Sequence, residues 1–183
     1  QLLDTVRDVK RILNKKLRVI GILPTLYDGR SNHSREVLED VGERYDLPVL
    51  GVIRPGAVTA SLTTRNRRVG VIATPATIRS HAYFSAIKDE NPAVEVYEHA
   101  TPALVPMVEA GRLSGPEVEA VVAEALAPLL GERDAAGEFV FPLPPSARVD
   151  TLLLGCTHYP LLRPVMTAIA GDRIAIVDSA SAT

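Results

Sequence analysis

One cysteine, Cys156, is all the thiol that these 183 residues contain. A single cysteine excludes an intramolecular disulfide and any zinc site of the usual multi-cysteine kind, so no metal is expected and the composition suits a reducing cytoplasm. No apolar run approaches the roughly 20 residues that cross a bilayer, and no membrane partner is expected. Positive charge is in short supply as well. Twenty Lys and Arg against 22 Asp and Glu leave a net charge of −2 and a pI near 6.1. That provides no broad field to hold a phosphate backbone, although Arg65, Arg67 and Arg68 form a local cluster, and nucleic acid is not expected as a partner. A start methionine is missing too, and Gln1-Leu2-Leu3-Asp4 does not read as a signal peptide. With the abrupt end at Thr183, this suggests an excerpt of a longer reading frame.

What is present describes an ordinary folded protein. Hydrophobic residues at 46% and a mean hydropathy of +0.13 support a packed core, and the length suits one α/β domain. Helical and strand periods alternate, which predicts a largely parallel sheet with helices on both faces. Leu2, Leu3, Val6, Val9, Ile12 and Leu13 recur at helical spacing, and 18–23 then reads as a buried strand ended by Pro24 and the Tyr27-Asp28-Gly29 turn. A helix is predicted from Ser34 to Tyr45 and a strand over 48–53. Residues 54–67, with Pro55-Gly56 and a polar run, suit a crossover or hinge. Strand periods follow at 68–73, 94–97, 151–154 and 174–177. Helices are predicted from Thr74 to about Lys88, over 103–110 and 116–130, and from the turn 155–160 to Ala170. Residues 131–147, rich in proline, read as an inserted loop.

In an open α/β sheet, ligands bind at the carboxyl ends of strands, where strand-to-helix turns present polar side chains. Cys156, Thr157 and His158 occupy such a turn. A thiol there can serve as a base if its pKa falls, for instance at the positive end of a following helix, although a lone cysteine beside an apolar strand also suits simple packing. The surrounding residues decide between these. Gly155-Cys156-Thr157-His158-Tyr159-Pro160-Leu161-Leu162, preceded by Val149-Asp150-Thr151-Leu152, resembles the second-cysteine segment of glutamate racemases. So do 48–57 (PVLGVIRPGA), 63–77 (TTRNRRVGVIATPAT), 104–111 (LVPMVEAG) and 177–183 (VDSASAT), in the family's order.

Such enzymes remove an α-proton without a pyridoxal cofactor. The carbanion is poorly stabilised, so a strong base is needed on one face and a proton donor on the other, and two thiols meet that need. The resemblance implies a cofactor-independent isomerase that makes D-glutamate for peptidoglycan synthesis. It implies Cys156 as one proton carrier, His158 and Glu109 as assisting residues, and Thr157, Thr74 and Thr77 as substrate contacts; it is compatible with a homodimer. Local readings stand beside these roles. His158 suits a turn histidine, Glu109 a solvated helix end, and Thr74 and Thr77 a helix cap. Where many racemases read Ala-Cys-Pro, this chain reads His99-Ala100-Thr101-Pro102.

The early residues depart further. Racemases open with Asp-Ser-Gly and later place their first catalytic cysteine in Cys-Asn-Thr, and neither occurs here. Instead Ile20-Gly21-Ile22-Leu23-Pro24-Thr25-Leu26-Tyr27-Asp28-Gly29-Arg30, followed by His33-Ser34-Arg35-Glu36-Val37, is similar to the late part of ParA-type partitioning ATPases. A division at 1–46 and 47–183 follows, as in a chimera or a fusion. No glycine-rich loop with its lysine is present to cradle phosphates, so no ATPase comes with that segment. Asp28, Arg30 and His33 read as turn and cap residues. The expectation is a racemase-like α/β chain that lacks the opposite-face thiol and does not racemise. The alternatives are an inert chimeric or fragmentary α/β module and, behind it, a fragment of a ParA-type ATPase.

Overall fold

The structure, a computed structural model, describes residues 2–22, 41, 51–133, 139–140 and 148–179. The chain packs as two units, Gln1–Gly51 and Val52–Thr183. In the first, helix α1 (Leu2–Ile12) follows its expected period, with Asp4 in the first turn and Lys10 and Arg11 in the last, each at the favourable end of the macrodipole. The strand expected over 18–23 is not found at 18–21, where Ile20 is 83% exposed. An apolar run becomes a buried strand only where neighbours take up its backbone hydrogen bonds, and among the described residues no multi-residue ladder includes this segment. The helix read from Ser34 lies outside the described residues except at Val41, as do Asp28, Arg30, His33 and residues 48–50.

The second unit is built on a parallel sheet. Its elements are α2 (Ile53–Thr63), β1 (Arg68–Ala73), α3 (Pro75–Ser80), α4 (Ala82–Glu90), β2 (Glu95–Ala100), α5 (Leu104–Glu109), α6 (Pro116–Leu130), the short hairpin β3 (Glu132–Arg133) and β4 (Phe139–Val140), β5 (Thr151–Leu154), α7 (Arg163–Ala170) and β6 (Ala175–Asp178). The order is β2-β1-β5-β6, and every pairing in this sheet is parallel. Because helices cover both faces, the central strands read as continuous apolar runs rather than alternating ones. Val69, Val71 and Leu153 face Ala57 and Ala60 of α2 and Tyr83 and Ile87 of α4. On the opposite face, Ile72, Leu152 and Leu154 pack against α5, α6 and α7. Each fully buried leucine of β5 contributes about 1.5–3 kcal/mol of transfer free energy.

Two expectations are corrected here. Residues 53–63 form helix α2 rather than a strand end and a hinge. Pro55 is the third helical residue, where the backbone N–H has no intrahelical acceptor, so its ring costs little. Gly56 marks a close approach, since a Cβ there would lie 2.5 Å from Ser179 Oγ and 3.3 Å from Leu153 Cδ1. The single helix expected from Thr74 to Lys88 is broken at His81, whose φ of 51° is left-handed and ends α3 before α4 begins. Helix α6 has its expected limits, with Pro116 at its start, Gly131 (φ 88°) just beyond its end, and Val118, Val122, Leu126 and Leu130 buried at four-residue intervals.

Candidate active site

Parallel register brings the strand ends to one edge. Ala73 pairs with Ala100, Ile72 with Leu154, and Leu154 with Asp178. The residues that follow, Thr74, Thr101, Gly155 and Ser179, therefore line the carboxyl edge of the sheet. Gly155 N–H donates to Ile72 O at 2.8 Å and Thr101 N–H to Ala73 O at 3.0 Å, which carries the ladder one residue beyond each strand.

Three of the expected residues meet at this edge. Cys156 Sγ lies 3.7 Å from His158 Nδ1, and His158 Nε2 lies 3.5 Å from Glu109 Oε1 at the end of α5. A neutral imidazole with its proton on Nε2 faces Glu109 with a donor and the thiol with a lone pair, so one ring can pass a proton between sulfur and carboxylate. Glu109 is mostly exposed, as its helix-end position suggests, yet its carboxylate reaches the ring. Burial pushes the Cys156 thiol up, and the backbone N–H groups of His158 and Tyr159 offset only part of this. A thiol lowered by a following helix is thus not what forms. The chain leaves Cys156 in a 3-10 turn, Tyr159–Leu162, before α7 begins, so no long helix points its N-terminus at the sulfur. Burial therefore favours the protonated thiol over the thiolate at this position.

Thr74 caps α3, accepting from Thr77 N–H at 3.4 Å, and the two hydroxyls lie 3.0 Å apart. Both the capping and the site readings are thereby compatible, because the pair stands where β1 ends beside the Cys156 turn. Thr157 is exposed on that turn.

Several residues that the sequence did not single out support the turn. A Cβ on Gly155 would lie 2.7 Å from Tyr83 Cε2 and 3.1 Å from both Ala73 Cβ and Ile72 O, so β5 can pass here only as glycine. Tyr83 OH meets Ser179 Oγ at 2.7 Å, beyond the end of β6. Asp150, just before β5, accepts from Thr64 Oγ1 (2.6 Å), from Arg65 and Asn66 N–H (both 2.8 Å) and from Thr151 Oγ1 (3.1 Å). Arg163 at the start of α7 reaches Asp178 Oδ2 at 2.5 Å and Ile176 O at 2.7 Å. Glycine placement was a usable signal for the first. The others join residues far apart in sequence, and only strand order reveals them. Among the described residues no cluster of three or more metal-ligating side chains occurs.

No protein-family model matches the chain. Curated proteins do. It is 42% identical to a glutamate racemase of Oceanobacillus iheyensis over 146 residues, covering 80% of this chain and 48% of that protein. With a glutamate racemase of Shouchella clausii it shares 48% identity over 132 residues, covering 72% and 42%. Among solved structures, glutamate racemase RacE1 of Bacillus anthracis superposes with a TM-score of 0.70 at 30% identity, over all of this chain and 59% of that one. The Francisella tularensis glutamate racemase, solved with D-glutamate, gives 0.66 at 28% identity, covering 98% and 59%. These comparisons lend no support to a partitioning-ATPase origin for the first 46 residues. The chain spans about half the length of the curated relatives it matches, and over that half it is homologous to glutamate racemases.

Proposed function

We propose that this chain carries one of the two proton-carrying faces of a glutamate racemase site. Cys156 is the carrier, His158 and Glu109 are its relay, and Thr157, Thr74 and Thr77 hold the substrate's polar groups. The observation that supports this reading best is the line from Cys156 Sγ through the His158 ring to Glu109 at the carboxyl edge of the sheet. In the forward sense the Cys156 thiolate takes the α-proton, the C–H electron pair stays on the α-carbon, and the new S–H can pass its proton to His158. In the reverse sense the thiol returns a proton to the same face. Inversion needs a donor on the other face, and the chain has no second thiol. Full interconversion of L- and D-glutamate, and with it a supply of D-glutamate for peptidoglycan synthesis, therefore needs a second proton carrier besides Cys156.

Incubation of the chain with each glutamate enantiomer in deuterium oxide tests this. Deuterium should enter the α-position of one enantiomer without inversion, and Cys156→Ser should abolish the exchange. Calorimetric titration with each enantiomer supplies the binding arm. Glutamate bound with no exchange would remove the proton-carrier role, and binding of neither enantiomer would leave an inert α/β module.

A further inference from the structure

Two buried hydroxyls, 58 residues apart, meet behind the cysteine turn. Thr101 Oγ1 and Tyr159 OH are 2.7 Å apart, Tyr159 OH also donates to Thr101 O at 3.1 Å, and Thr101 Oγ1 donates to Ala73 O at 3.3 Å. Thr101 is 2% exposed and Tyr159 is fully buried. Two hydroxyl protons are shared among these three contacts, each hydroxyl donating either to the other or to its carbonyl, and whichever way they are shared a bond joins Thr101 to Tyr159. Each belongs to a different strand end. Ala73 closes β1 and precedes Thr74, Thr101 follows β2, and Tyr159 closes the turn after β5 that holds Cys156.

From this geometry we infer that Thr101 and Tyr159 are a positioning pair, which sets the Cys156 turn in register with the threonine mouth that begins at Thr74. The proposal rests on Cys156 acting as a proton carrier. The means is direct, because the sulfur is approached by the backbone N–H groups of His158 and Tyr159, and the second of these belongs to the tethered residue itself. Tyr159 N–H also reaches Cys156 O at 3.2 Å, which closes the turn. With the phenol held, both donors stay aimed at the thiolate. Burial of the Tyr159 phenol, together with the nearby Cys156 charge, pushes its pKa up to about 12 despite the Thr101 bond, so it is a neutral donor at neutral pH.

Because Cys156 is the chain's only thiol, the loss of free thiol on treatment with iodoacetamide reports on it alone. The full chain and its Thr101→Val, Thr101→Ser and Tyr159→Phe variants are compared from pH 6 to 11, with thermal melts to verify folding. The expected result is a rise in the alkylation midpoint of about half a pH unit for Thr101→Val and up to about one for Tyr159→Phe, so that the rate near neutral pH falls roughly threefold to tenfold. Thr101→Ser, which keeps the hydroxyl, should retain the parent profile. Thr101→Val preserves shape and leaves Tyr159 its bond to the Thr101 carbonyl, so it decides the matter if Tyr159→Phe does not fold. A folded Thr101→Val variant whose midpoint is unchanged or lower overturns the proposal, as does a Thr101→Ser variant that shifts as far as Thr101→Val. Alkylation needs no glutamate, so this result is independent of the exchange experiment.

Discussion

Replacing Asp150 with asparagine tests how β5 is anchored. The carboxylate accepts two backbone N–H groups and two threonine hydroxyls at 2.6 to 3.1 Å, which tie the start of β5 to the loop between α2 and β1. Burial alone would raise this carboxyl, but the bonds from Thr64, Asn66, Arg65 and Thr151 outweigh it and hold its pKa below the usual carboxylate value. In Asp150→Asn the amide keeps one oxygen, able to hold two of the four donors, and turns its NH2 toward the rest. Bonds to a charged group are worth about 1.5–3 kcal/mol each against about 0.5–1.5 for neutral ones. Allowing for water at this half-buried site, the net loss is about 2–3 kcal/mol, or roughly 4–12 °C in Tm for a chain of this size. A depressed carboxylate pKa contributes stability above the unfolded-state value of about 3.9, and that contribution is lost as pH falls through the folded-state value. Thermal melts at pH 7 and pH 3 should therefore show a large gap between parent and variant at pH 7 and a smaller one at pH 3. Equal gaps at both pH values, or Tm values within about 1 °C at pH 7, would refute the reasoning.

Gly155→Ala should destabilise by about 1–3 kcal/mol, because the new methyl meets Tyr83 and the backbone of β1 at once; urea unfolding measures this, and a midpoint equal to the parent's would show that the turn has slack. At high pH the sign reverses from Asp150. Cys156 and Tyr159 are raised in the folded state, so they add stability below their unfolded-state values that is lost as pH rises, from about pH 9 for the thiol and between about 10 and 12 for the phenol. Urea midpoints from pH 8 to 11 should fall, and Cys156→Ala should remove the part of the fall that begins near pH 9; a variant whose curve parallels the parent's would contradict the buried-thiol assignment.

How much of this was legible in the sequence depended on the range of the interaction. Helix α6 was readable end to end, since its four-residue apolar spacing, Pro116 and Gly131 are all local signals. The buried strands β1 and β5 were equally plain as apolar runs flanked by polar turns. Pro55-Gly56 misled because proline in the first turn of a helix looks the same in sequence as proline in a hinge, and only the close approach of Ser179 explains the glycine. Residues 18–21 misled for the opposite reason, since β-branched apolar residues describe a preference that needs a partner to be realised. At the site, Cys156, His158 and Glu109 came from likeness to a family and are brought together by the fold. Thr101 with Tyr159, and Asp150 with Thr64, were invisible because parallel crossovers separate the partners by 58 and 86 residues.

The left-handed His81 also fixes a direction. Its ring meets Glu98 of β2 at 2.5 Å, through a carboxylate that is almost wholly buried while the imidazole stays largely in solvent. The break between α3 and α4 is thereby moored to the sheet from outside. Helix α3 is a single short segment held at both ends, by the Thr74 cap and by this mooring, and so its threonines can turn about their own side-chain bonds but cannot swing away with the helix.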